Sequence, residues 1–144
     1  MAYPEQFIAP MRAELTRLGV RELRTSADVD AAVTAPGVTM IVVNSVCGCA
    51  AGKARPGIAL ALQHGRRPDL VGTVFAGADV EATDRARAYF APFPPSSPSV
   101  GLLREGKLVF MLQRSDIENR DARQIAERLT AAFDQYCESP VRSA

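Results

Sequence analysis

The sequence predicts an α/β fold in which a central mixed β-sheet is flanked by helices on both faces, and three observations carry that reading. Stretches with apolar residues at helical spacing alternate with short β-branched runs along most of the chain. Two of those runs, VTMIVVN at 38–44 and VGTVFA at 71–76, are almost wholly apolar, as strands covered on both faces are. Near the C-terminus two further runs are separated only by Arg-Glu-Gly-Lys, the spacing of an antiparallel hairpin.

The elements follow in order. Residues 5–18 place Phe7, Ile8, Met11, Leu15 and Leu18 at helical spacing, with Gly19 as the stop. Residues 20–24 read as a short strand. Ser26 is the expected N-cap of a helix through about Thr34, which Pro36-Gly37 breaks. After the buried run 38–44, a helix is expected from the cysteine motif to about His64, with Ile58, Leu60 and Leu62 partly on its buried face and Pro56 kinking it. Pro68-Asp69 is a turn, 71–76 the next buried strand, and Asp79 the cap of a helix to about Phe90. APFPPSSPS is a rigid, proline-rich loop, and 99–103 and 108–112 are the hairpin strands. A last amphipathic helix over 121–136 uses Ile125, Leu129, Ala132 and Phe133. This order, a parallel core with an antiparallel hairpin at one edge, is the thioredoxin-like pattern. It implies a single domain over 1–137 and a flexible C-terminal tail over 138–144.

With 144 residues the chain is long enough to bury a core without covalent staples, and 47% apolar with 23% charged residues is ordinary globular composition. A net charge of +1 offers no attraction to nucleic acid or to an anionic membrane, so neither is an expected partner. The longest strand-like apolar run, 40–43, is far too short to cross a bilayer. The N-terminal MAYPEQFIAPMRAEL has no basic stretch leading into an apolar block, so the expectation is a soluble, cytoplasmic protein. In such a compartment three cysteines do not make a disulfide framework, and a close pair points to redox chemistry or metal.

That pair is Cys47-Gly48-Cys49, at the seam between a strand and a helix. Cys47 is expected at the carboxyl edge of the sheet, where open α/β folds place their sites. It also stands at a helix start, where unpaired N–H groups and the helix dipole favour an anion. A thiolate is such an anion, so its pKa should fall from about 8.5 into the ~3.5–7.5 range of thiols at helix N-termini. Lys53 and Arg55 are candidates to add positive potential. Gly48 is expected to let the backbone bend tightly enough for a Cys47–Cys49 bridge, a strained ring that is easily reduced. Pro98, directly before a strand, is the expected cis-proline facing the thiol. Cys137, at the end of the last helix, is read as a bystander and His64 as solvated. No metal ligand set and no tightly bound cofactor are expected.

VVNSVCGCAAGKARPG, TVFAGADVEAT, PSSPSVGLLREGK and LTAAFDQYC together resemble the bacilliredoxins, small cytosolic thioredoxin-like proteins. The resemblance implies a thiol–disulfide oxidoreductase that removes bacillithiol from S-bacillithiolated client proteins. In that family the first motif cysteine is the nucleophile, which by position is Cys47, and Cys49 is the resolving thiol. Gly48 is the motif turn and Pro98 carries the cis-proline. Bacillithiol is the implied co-substrate, and a flavin-dependent NADPH reductase the implied partner that completes the cycle. The chain departs from the family where relatives often read Pro-Arg-His, having Gln113-Arg114-Ser115, and at Asn119, where glycine is expected; neither change touches the thiols. Three alternatives stand beside this reading: a general protein disulfide reductase or isomerase, a Cu(I)- or Zn-binding thiol module, and a non-catalytic scaffold.

Overall fold

The strand β2 (Val38–Asn44) is buried at every position. Alternation of side chains along it sends Val38, Met40 and Val42 into one apolar layer and Ile41 and Val43 into the other. This is why the run carries no polar face to read. In the computed structural model, which describes residues 3–138, β2 is the centre of a five-stranded sheet. The other strands are β1 (Arg21–Glu22), β3 (Leu70–Phe75), β4 (Ser99–Arg104) and β5 (Lys107–Leu112), in the order β1-β3-β2-β4-β5. β1, β3 and β2 run parallel; β4 is antiparallel to β2 and β5 to β4.

Helices cover both faces. On one lie α1 (Glu5–Thr16), α3 (Arg55–Ala61), α5 (Arg114–Glu118) and α6 (Ala122–Tyr136), contributing Leu15, Ile58, Ile117, Leu129 and Phe133. On the other lie α2 (Ser26–Thr34) and α4 (Val80–Tyr89), with Val29, Val33, Ala82 and Ala86. The expected fold class and element order hold, with α5 as an addition. Most of the expected tail, residues 139–144, lies outside the described residues.

Several local expectations are corrected. The cap of α2 is Thr25, not Ser26: the Thr25 hydroxyl accepts from the Asp28 amide while the Asp28 carboxylate accepts from the Thr25 amide, a reciprocal box. The Ser26 amide instead donates to Glu81. Pro56 does not kink a helix. It sits in the first turn of α3, where a missing N–H costs nothing, and the chain ahead of it, Ala50–Ala54, widens into a π turn. In the β4–β5 turn both Glu105 (φ 50°) and Gly106 (φ 81°) are left-handed, as a tight hairpin requires.

Asp79 precedes α4 as expected, but its carboxylate does not cap the helix. It accepts two hydrogen bonds of 2.8 Å from Arg12 of α1 and one of 3.2 Å from the Phe75 amide. Arg12 is 6% exposed, stacks 5.3 Å above the Phe75 ring and also reaches Glu5 at 3.0 Å. The bidentate pair ties α1 across the end of β3. Breaking a buried pair by removing one partner leaves a charge uncompensated. Arg12→Met should therefore cost about 3–5 kcal/mol in urea unfolding, and a loss below ~1 kcal/mol would show that the pair contributes little.

Candidate active site

The site forms where β2 leaves the sheet. Asn44 ends the strand, Ser45 is still buried, and Gly48 already begins the helical turn that continues through Ala50–Ala54 into α3. Arg55, only 3% exposed, fixes this exit from below. Its guanidinium donates to the Asn44 side-chain oxygen at 2.8 Å, to the Ser45 carbonyl at 2.9 Å and to Glu14 of α1 at 2.9 Å. Asn44 in turn accepts from the Ser45 amide at 2.9 Å and donates to the Met11 carbonyl at 3.2 Å. Both backbone polar groups of Ser45 are thus engaged, and its side chain faces the motif.

The Ser45 hydroxyl donates to Cys47 Sγ at 3.3 Å, and the same oxygen lies 3.4 Å from the Cys47 amide. Partial burial by itself raises the Cys47 pKa. That effect is outweighed by the Ser45 hydroxyl, by the Ala50 and Cys49 amides at the helix start and by the positive charge of Arg114, so the thiol titrates below its ordinary value. Cys47 is half-buried and opens on a cleft of about 290 Å³. Tyr3, Gly77 beyond β3, Ser97 and Arg114 line it. The antiparallel register pairs Val43 with Ser99, which brings the start of β4 beside the end of β2. The Ser97–Pro98 peptide there is cis, and Ala91–Pro92, which the sequence reading did not single out, is cis as well.

The residues flagged in the sequence separate. Cys47 and Cys49 both lie at the exit of β2, Cys47 facing the cleft and Cys49 packing against the apolar layer that holds α3 and α6. Gly48, expected to bend the chain for a Cys47–Cys49 bridge, is seen here with both thiols free. Its φ is outside the left-handed region, it is exposed, and an added Cβ would meet no atom within 4 Å. Lys53 donates to the Glu118 carbonyl. Arg55 is committed to the clamp, so neither residue is the cation that acts on Cys47. That cation is Arg114, which sequence reasoning noted only as part of a departure from a family pattern. Ser45 was also missed, and its adjacency to the motif was the one available signal.

Cys137 is 4% exposed, and burial, with the Asp69 and Asp134 carboxylates adding, pushes its thiol up to about 11. His64 is not merely solvated: its Nε2 lies 2.8 Å from Asp134. Among the described residues no three His, Cys, Asp or Glu side chains gather into a group able to hold a metal ion. No helix among them is long and apolar enough to cross a membrane.

A family model described as disulphide isomerase matches residues 3–137. A bacilliredoxin of Koribacter versatilis is 63% identical over 136 residues, 94% of either chain. Bacilliredoxins of Geobacillus kaustophilus and Cytophaga hutchinsonii are 54% and 50% identical, over 88% and 92% of this chain and 88% and 98% of their own. Among solved structures, a thioredoxin of Halobacterium salinarum superposes with a TM-score of 0.58 at 15% identity, covering 84% of this chain and 93% of its own. A thioredoxin of Fasciola hepatica gives 0.55 at 16%, covering 81% and 99%. At such identities the superposition speaks for the fold.

Two outcomes follow from the geometry. Ser45→Ala should move the pH midpoint of Cys47 alkylation upward and slow the reaction at pH 7, because it removes a donor to the thiolate; an unchanged midpoint would mean the hydroxyl does not act on the sulfur. Gly48→Ala should leave the dithiol form at least as stable as the parent, with a gain of up to ~1 kcal/mol expected for replacing a helical glycine. A clear drop in the reduced protein's melting temperature would contradict that.

Proposed function

The chain belongs to the bacilliredoxin family of thioredoxin-fold thiol–disulfide oxidoreductases, and from that premise we propose that it removes bacillithiol from S-bacillithiolated proteins of the cytoplasm. The observation that carries the reading is the asymmetry of the pair. Cys47 faces an open cleft and is held toward its thiolate form, while two residues on Cys49 packs against the core. A sulfur that faces the cleft and is shifted toward its thiolate suits attack on a bulky disulfide; one packed against the core suits an intramolecular second step.

In the first step the Cys47 thiolate attacks the bacillithiol sulfur of the client's mixed disulfide. A Cys47–bacillithiol S–S bond forms, the S–S bond between the client sulfur and bacillithiol breaks, and the client thiolate leaves and takes a proton. Cys49 then loses its proton and attacks the Cys47 sulfur, closing the Cys47–Cys49 disulfide and expelling bacillithiol. Two electrons, delivered through bacillithiol and a flavin-dependent NADPH reductase, reopen the pair. Gly48 here serves the closed-ring state rather than the dithiol state, consistent with its undemanding geometry in the latter. Ser97, whose peptide bond to Pro98 is cis, lines the same cleft as the attacking sulfur.

The name of the matching family model favours a second reading, general disulphide isomerisation through the same two thiols. A bacillithiolated client and a scrambled-disulfide client, offered in parallel, separate the two. We expect release of bacillithiol by the parent protein, none by Cys47→Ser, and a stalled Cys47–bacillithiol adduct in Cys49→Ser, read as a mass increment on the intact protein. Turnover persisting in Cys47→Ser would overturn the assignment of the nucleophile. Rescue of the scrambled client alone would favour isomerisation.

A further inference from the structure

Among the described residues Arg114 is the only permanently charged side chain lining the cleft; the rest of that lining is apolar or neutral, apart from the Cys47 thiol itself. Its position is set from several sides. Its amide donates to the Ser96 hydroxyl at 3.2 Å, and its Nη1 donates to the Ser97 carbonyl at 3.4 Å. Its one carboxylate partner, Glu118, is met through Nε at 3.4 Å, with both side chains about half exposed. An exposed, long ion pair of this kind is weak and readily exchanged. Of the other charges on this flank, the Asp116 carboxylate accepts from the Gln113 amide, and Lys53 brings a second cation to the Glu118 carbonyl.

In the dithiol state the anion facing Arg114 is the Cys47 thiolate. Once that sulfur enters a mixed disulfide its charge is gone, because the electron pair now forms the S–S bond and the leaving sulfur carries the charge away. The guanidinium then stands beside a neutral disulfide with only a loose partner. A carboxylate on the captured small thiol restores the pairing, and the planar guanidinium fork matches a carboxylate better than a lysine ammonium would. A neutral thiol leaves Arg114 to Glu118 and water, and a cationic one is repelled.

We propose that Arg114 makes this cleft selective for mixed disulfides whose small-thiol half bears a carboxylate. The proposal rests on the reading of Cys47 as the attacking sulfur, but not on bacillithiol being the thiol carried.

The test compares two alkylating agents of nearly equal size, iodoacetate and iodoacetamide, on the reduced protein in a Cys49→Ala background at pH 7. Both react with the same thiolate, forming an S–C bond as iodide leaves, so the ionised fraction of Cys47 cancels in the ratio of their rates. We expect that ratio to exceed the ratio for the urea-unfolded chain by about two- to fivefold, the range an exposed charge pair gives. Arg114→Gln should abolish the excess and Arg114→Lys should keep part of it. If Arg114→Gln slows both reagents equally and leaves the ratio unchanged, Arg114 only stabilises the thiolate and the proposal is overturned. A peptide disulfide carrying 3-mercaptopropionate should likewise be reduced faster than one carrying 2-aminoethanethiol, with the preference lost in Arg114→Gln. Retained carboxylate preference together with no turnover of a bacillithiolated client would sink the substrate assignment and leave this inference standing.

Discussion

Arg55 holds the site together. A guanidinium this deeply buried must have its hydrogen bonds satisfied inside the protein, because water cannot replace them. Its three partners join two parts of the chain: Glu14 on α1, and the Asn44 side chain and Ser45 carbonyl at the exit of β2. Since Asn44 also holds the Ser45 amide, the peptide leaving the sheet has no freedom left to rotate. The Ser45 hydroxyl is thereby presented to Cys47 rather than to solvent. A backbone exit that would otherwise be an ordinary loop becomes a fixed platform beneath a reactive sulfur.

How much of this was legible depends on where each interaction lies in the chain. β2 announced itself because burial on both faces leaves an uninterrupted apolar run, and the β4–β5 hairpin because its turn needs a glycine. α5 did not, since five residues carry too little periodicity to see. Arg114 was illegible for a related reason. It is brought to Cys47 only by the tertiary fold, and charge near the thiol was sought among its sequence neighbours instead. Lys53 and Arg55 are close in sequence, but the π turn and the buried clamp carry them elsewhere. Asp79 has the chemistry of a cap, yet the buried Arg12 competes for its carboxylate more strongly than the helix start does. At Cys47 and at Asp79 alike, a charge arriving from a distant element decided what local sequence could not.

Cys47 and Cys137 show how far surroundings divide one chemistry. Burial is the largest influence on both Cys47 and Cys137, and in both it raises the pKa. The outcomes diverge because Cys47 faces donors and a cation, whereas carboxylates add to the rise at Cys137. Their contributions to stability run in opposite directions. Cys47, depressed in the native state, stabilises the fold above the pKa it has when unfolded, and that contribution is lost as pH falls through its native value. Cys137 is raised; relative to the unfolded thiol it destabilises progressively as pH climbs from the ordinary thiol range toward about 11. One thiol is therefore shifted toward its thiolate while the other is held toward its protonated form within the core, with no covalent device needed to tell them apart.

The cation reaches the sulfur through the proline-rich loop, and Ser96 is the junction. Its carbonyl accepts from Arg87 of α4 at 3.3 Å and from the Ser99 hydroxyl at 3.0 Å, while its own hydroxyl accepts from the Arg114 amide. Gln113 adds a bond of 2.8 Å to the Pro94 carbonyl. The loop is thus rigid because α4, β4 and α5 all bond to it, and α5 is placed over the cleft because the loop is rigid. Two supports, one from beneath through Arg55 and Ser45 and one from the side through Ser96 and Arg114, converge on a single sulfur from elements that share no local sequence. Their independence matters chemically. The lower support acts on the thiolate through a hydrogen bond to the sulfur itself. The lateral one acts through charge, and it keeps acting after the sulfur has been captured, when only the incoming group remains to be recognised.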